Sequence, residues 1–203
     1  MLKYRVILVL VPDCRSGVMT KRQFRSDDPE RRQWQDPEQI LSIIGAGPGM
    51  IFVDVGCGDG YFALPAARKA GSRGKVYAND IDAGAIERLR AQASKDGLGN
   101  LFSDVKAAEE TVVCEGCADI VFFGIDLHDF EDPVVVLRNA QKMLRPSGIL
   151  VDLDWKDEPM PAGPPAWKRF SPEKACNLII SAGFSIVSVQ DSGPYHYLII
   201  ARR

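Results

Sequence analysis

The sequence predicts an α/β fold, a doubly wound and mostly parallel sheet closed by a C-terminal antiparallel hairpin. Three observations predict it. Short apolar runs at 50–55, 75–78, 101–105, 119–124 and 149–153 alternate with segments of helical period. A glycine-rich turn, Gly56-Cys57-Gly58-Asp59-Gly60, follows the first run directly. Near the end, runs at 184–189 and 197–202 face each other across Ser192-Gly193-Pro194.

The chain has 203 residues and a net charge of -2. That length suits a leader or lid segment, partly flexible, over 1–36 and one domain over 37–203. The mild acidity argues against a nucleic-acid-coating surface, so no nucleic-acid partner is expected. The apolar run at 6–11 is stopped by Pro12 and Asp13, too short to span a bilayer. Lys3 and Arg5 ahead of that run resemble a signal peptide, but no small-x-small cleavage site follows. Five cysteines do not read as a disulfide framework, and Cys114-x-x-Cys117 reads as two small residues in a turn between strands. A structural zinc site would need two more ligands nearby, so no metal is expected. The cytoplasm is the default compartment, and the chain is expected to act as a monomer or homodimer.

The elements follow in order. Residues 1–11 read as an extra strand or a leader, with Met19 an alternative start. Residues 20–37 are charged and turn-rich, with Phe24, Arg31 and Trp34 as candidates for a lid. Asp36-Pro37-Glu38 has the chemistry of a helix start, Asp36 capping and Pro37 in the first turn. Helices are expected at 62–70, 83–95 and 133–144, the last stopped by Pro146-Ser147-Gly148. A Pro-rich connection at 155–172 precedes a further helix at 172–182.

The glycine turn lies between a strand and a helix, where glycines tolerate positive φ and let backbone approach a ligand. About 20 residues further on, past a second strand, comes Asp80, placed to accept hydrogen bonds from ribose hydroxyls. A dinucleotide site prefers G-x-G-x-x-G, since a pyrophosphate must reach the helix N-terminus. Here the spacing is G-x-G-x-G, with Asp54 just before the loop and Asp59 within it. Two carboxylates repel a pyrophosphate. They suit a ligand carrying an amino group and a sulfonium, which points to S-adenosylmethionine.

The motifs together resemble class I S-adenosylmethionine-dependent methyltransferases of the small-molecule, ubiquinone/menaquinone-biosynthesis-like ("type 11") group, with their Rossmann-like fold. V-D-V-G-C-G-D-G-Y-F is similar to the first motif of that family, V-Y-A-N-D-I-D to its second strand, and A-D-I-V-F-F-G-I-D-L-H-D-F to its fourth strand and substrate-side loop. L-R-N-A-Q-K-M-L-R-P-S-G-I-L resembles the helix and strand that follow. The resemblance implies a cofactor site of Asp54, Gly56, Cys57, Gly58, Asp59, Gly60, Tyr61 and Phe62, with Asp80 on the ribose and Ile81 against adenine. Many members carry an acid after the third strand. Here Ala107 or Ala108 falls at that position, leaving a backbone contact, with Asp104 or Glu109 as substitutes.

Methyl transfer from a sulfonium is an in-line displacement, for which alignment in a closed pocket suffices unless the nucleophile starts protonated. Asp126, His128 and Asp129 follow the fourth strand and face the methyl side. His128 is the candidate base and Asp126 the second candidate catalytic residue, with Asp129, Trp34 and Trp155 in the substrate pocket. The alternative for His128 is a loop cap, and for Trp155 an anchor of the Pro-rich loop. Tyr195, His196 and Tyr197 are candidates to line the site from the hairpin. No Asn-Pro-Pro-Tyr-like tetrad or Pro-Cys pair follows the fourth strand, so a small-molecule acceptor is expected. A non-catalytic cofactor-binding regulator and a nicotinamide-dependent oxidoreductase are the competing readings.

Overall fold

The computed structural model describes residues 29–161 and 163–203. The run at 1–11, the start at Met19 and Phe24 lie outside them. The strands are β1 (Ile51–Val55), β2 (Lys75–Asp80), β3 (Leu101–Val105), β4 (Ala118–Gly124), β5 (Leu144–Trp155), β6 (Ser185–Ser192) and β7 (His196–Arg202). They form one sheet in the order β3-β2-β1-β4-β5-β7-β6. β1 to β5 run parallel, and β7 pairs antiparallel with both β5 and β6. This is the doubly wound sheet with a terminal hairpin that the sequence predicts.

The helices are α1 (Pro29–Trp34), α2 (Pro37–Ile43), α3 (Ala63–Ala70), α4 (Ala83–Lys95), α5 (Pro133–Met143) and α6 (Pro172–Ser181). On one face of the sheet, Leu41, Ala66, Ile86 and Leu89 of α2, α3 and α4 pack on Phe52, Val76 and Phe122. On the other, Val136, Leu137 and Ile179 of α5 and α6 pack on Val53, Val121 and Ile199. Burial on both faces is why the inner strands read as unbroken apolar runs. Side-chain caps start four helices. Asp36 accepts from Glu38 N, Asp82 from Gly84 N and Ala85 N, Asp132 from Val134 N and Val135 N, and Ser171 from Lys174 N. Each such cap is worth about 1 kcal/mol.

Three local expectations are corrected. Residues 29–34, read as turn-rich, form α1, held down by tertiary contacts that its six residues do not advertise. β5 begins at Leu144 rather than 149, because Leu144 pairs with Ala118 across a register shift. Cys114 and Cys117 are joined as a disulfide, their Cα atoms 6.0 Å apart around Gly116 with φ +61°. Between β3 and β4 the connection carries only a short 3-10 turn, Ala108–Glu110. Among the described residues no helix is long and apolar enough to cross a membrane.

Candidate functional site

The site gathers where β1 and β4 lie side by side, the point at which the strand order reverses and ligands of open α/β sheets bind. The loop after β1 bends through Gly56, Gly58 and Gly60 at φ +76°, +54° and +92°. It is pinned to β2: Gly56 N and Cys57 N both donate to Asn79 O at 2.9 Å. Asp80 adds a second tie, its Oδ2 accepting from Gly58 N at 2.8 Å and its Oδ1 from Asp82 N at 2.9 Å. A carboxylate oxygen accepts more than one hydrogen bond, so Asp80 braces the loop and keeps acceptor capacity for hydroxyls. A side chain at Gly56 would lie 2.8 Å from Asp126 Cγ, which keeps that position to glycine.

Cys57, Tyr61 and Phe62, within and just after the loop, are buried. Phe62 stacks against Phe122 at 4.7 Å, and the Tyr61 hydroxyl donates to the backbone carbonyl of Gln35. Burial, and then the nearby charges of Asp54, Asp80 and Asp126, push the Cys57 thiol up, so it is held protonated.

Asp54 and Asp126 approach the loop from below and beside it. Asp54 is 1% exposed, and its Oδ2, like the Oδ2 of Asp126, is buried without a hydrogen-bond partner in the protein. Burial, and then the charge of Asp80, push Asp54 up to about 7. Burial and the neighbouring carboxyls hold Asp126 well above the usual carboxylate range. Facing them from α1 is the buried guanidinium of Arg31, 3.6 Å from the Tyr61 ring centroid.

Beyond β4 the chain turns through Ile125 at φ +68°, the only non-glycine residue at positive φ among those described. Ile125 N donates to Leu153 O at 2.6 Å, and the turn delivers Asp126 and then His128. His128 Nδ1 lies 2.7 Å from Oδ1 and 2.9 Å from Oδ2 of Asp154 at the end of β5. A carboxylate only accepts, so Nδ1 carries a proton and Nε2 is the basic atom of the neutral ring. Nε2 is 3.8 Å from Asp129 Oδ1, and that carboxylate in turn meets Lys168 Nζ at 3.4 Å. Burial lowers the His128 pKa, but the Asp154 hydrogen bond and charge outweigh it, so the net shift is upward.

The remaining expected residues are more dispersed. Trp155 is 1% exposed, packed on His196 at 4.2 Å and on Trp34 at 5.6 Å. A side chain at Gly163 would meet the Trp155 ring at 2.8 Å, so this ring underpins the Pro-rich connection. His196 stacks on Trp34 at 5.3 Å, and burial pushes its pKa down to about 3. Ile81 is 70% exposed just past Asp80, open to a flat ligand. The Ala107 carbonyl accepts from Thr111 Oγ1 at 2.8 Å, and Glu109 Oε1 accepts from Glu131 N and Asp132 N. Glu109 is thus committed to bracing the loop before α5. Sequence reasoning placed Arg31 among the lid candidates but did not see that Gln35 orients it, or that Asp154 grips His128. Among the described residues no cluster of three or more His, Cys, Asp or Glu suited to a metal is present.

An open α/β sheet with a glycine cradle at its switch point and an acid at the end of the second strand defines a nucleoside-cofactor domain. Residues 46–182 match the family model described as a methyltransferase domain, and the chain belongs to that family. A solved structure similar over 86% of this chain and 93% of its own is a SAM-dependent methyltransferase from Aquifex aeolicus, at 27% identity and a TM-score of 0.82. Curated relatives include nocamycin O-methyltransferase of Saccharothrix syringae, 29% identical over 54% of this chain and 39% of its own length. The ubiquinone/menaquinone biosynthesis C-methyltransferase of Shewanella frigidimarina is 27% identical over 72% of this chain and 59% of its own. The chain thus spans about two fifths and three fifths of those two relatives.

Proposed function

We propose that this protein transfers the methyl group of S-adenosylmethionine to a small-molecule acceptor, aligned in a pocket over the ends of β1 and β4. The observation that carries the reading is the pair of buried, unpartnered carboxyl oxygens, Asp54 Oδ2 and Asp126 Oδ2, beside the glycine cradle. Buried polar groups need partners, and a cationic ligand supplies them where a pyrophosphate would be repelled. Gly56 to Gly60 would hold the methionine part, Asp80 the ribose and Ile81 the adenine face. When bound, the cofactor supplies an already activated methyl group. The relatives methylate oxygen or carbon by their names. An acceptor whose nucleophile starts protonated needs a base, and His128, held by Asp154, fills that role through Nε2. Asp126 acts as a hydrogen-bonding carboxyl beside the loop, and Asp129, Trp34 and Trp155 frame the acceptor side.

Thermal unfolding with S-adenosylmethionine, S-adenosylhomocysteine, NAD and NADP tests the cofactor. A ligand at about 100 times its Kd adds about 2.7 kcal/mol of stability. Only the adenosyl pair is expected to raise the melting temperature, and Asp80→Ala is expected to abolish the rise. Stabilisation by NAD or NADP sinks this reading.

The raised Asp54 pKa gives a second expectation. A cationic cofactor requires the ionised carboxylate, whereas below about 7 Asp54 holds a proton. Affinity is therefore expected to fall about tenfold per pH unit below that value, with one proton released on binding. Calorimetry in buffers of different ionisation enthalpy reads the proton directly, and pH-independent binding between pH 5.5 and 8 would contradict the assignment.

A further inference from the structure

We propose that Arg31 binds the α-carboxylate of the cofactor's methionine group, so that the site reads its ligand as a zwitterion. This rests on the S-adenosylmethionine reading above. The guanidinium, carried on α1, is buried against the ring of Tyr61, the residue that follows Gly60 of the loop. Three contacts fix its orientation. Its plane sits over the Tyr61 ring at 3.6 Å, its Nε donates to Gln35 Oε1 at 2.7 Å, and Tyr61 is itself tied to the Gln35 carbonyl. Gln35 is buried too, so the Arg31-Gln35-Tyr61 unit is a built support rather than a surface contact. Burial pushes the Arg31 pKa down to about 10, partly offset by the nearby charges of Tyr61, Asp126, Asp59 and Asp54.

A buried site that sets one guanidinium among carboxyls matches the two ends of an amino acid. The ammonium and sulfonium face Asp54 and Asp126, and the carboxylate faces Arg31. A guanidinium is a planar fork suited to a carboxylate, and its grip is strong where water is excluded. A ligand with the same cations but no carboxylate would bring positive charge toward Arg31 without the carboxylate that pairs with it. If Arg31 only held α1 down, its loss would weaken every ligand alike.

The discriminating ligand is decarboxylated S-adenosylmethionine, which keeps the adenosine, sulfonium and amine and lacks only the carboxylate. Calorimetric titration of wild type, Arg31→Gln and Arg31→Lys with both ligands separates the two roles, with ligand-free melting curves as the folding control. Wild type is expected to prefer S-adenosylmethionine by about 10- to 100-fold, the worth of one charge-assisted pair. Arg31→Gln is expected to erase that preference by weakening S-adenosylmethionine alone, and Arg31→Lys to restore part of it. Equal losses for both ligands in Arg31→Gln, or no preference in wild type, would overturn the role of Arg31 while leaving the cofactor reading intact. Wild type that binds neither ligand would overturn both.

Discussion

Replacing His128 with alanine is expected to lower turnover about 100- to 10,000-fold on an acceptor whose nucleophile starts protonated, the usual worth of a positioned base. The geometry behind this is the grip of Asp154 on Nδ1, at 2.7 and 2.9 Å, which leaves Nε2 to take the proton. The base works only when neutral. Since the His128 pKa is raised from 6.5, the activity arm is expected to rise with pH through a value above 6.5. Asp154→Asn keeps the shape, removes the charge and is expected to shift that arm downward. The stability linkage has the opposite sense. Because the folded pKa is raised, the stabilisation from protonated His128 is complete below the unfolded pKa and is lost as pH rises through the folded one. Rate against pH for both variants is the measurement. A His128→Ala enzyme within threefold of wild type would leave alignment as the whole of the catalysis.

Gly60→Ala is expected to cost about 2–5 kcal/mol, the sum of left-handed strain and overpacking. Gly60 sits at φ +92°, and a Cβ there would press into Leu89 and lie 3.2 Å from Leu64 Cγ. Leu89 is fully buried, so its Cδ1 would have to shift within the packed core. For a domain of this size the loss corresponds to a fall of about 4–20 °C in melting temperature. Gly58→Ala is the internal comparison. Its φ is +54° with nothing within 4 Å of a Cβ, so only about 1–2 kcal/mol of backbone strain is expected. Calorimetric melting of the two variants side by side checks the difference. Equal losses would show that packing under Gly60 is looser than the Leu89 contact implies.

Much of this architecture was legible because each inner strand is buried on both faces and written as an apolar run, with a cap or glycine at its helix boundaries. Asp36 was readable as a helix cap because Pro37 and Glu38 follow it directly. The cradle and Asp80 were readable because their spacing is local to one strand-turn-helix-strand unit. What was not legible depends on distant strands meeting. Asp154 grips His128 from 26 residues away, and only the pairing of β4 with β5 brings them together. The strand start at Leu144 was hidden behind Pro146 and Gly148, which look like a stop until Ala118 is seen opposite. α1 was missed because its six residues, three of them charged, carry no helical period of their own. Its order comes from Arg31 and Trp34 finding Tyr61, Gln35 and Trp155.

Ile125 has a consequence at the level of the gene. A β-branched residue at φ +68° costs the fold about 1–2 kcal/mol. That is a noticeable part of the roughly 5–15 kcal/mol that hold a domain together. Asparagine tolerates that backbone with less strain, and most isoleucine codons differ from an asparagine codon by a single base. A calmer chain is therefore one nucleotide away, and the change falls on the residue directly before Asp126.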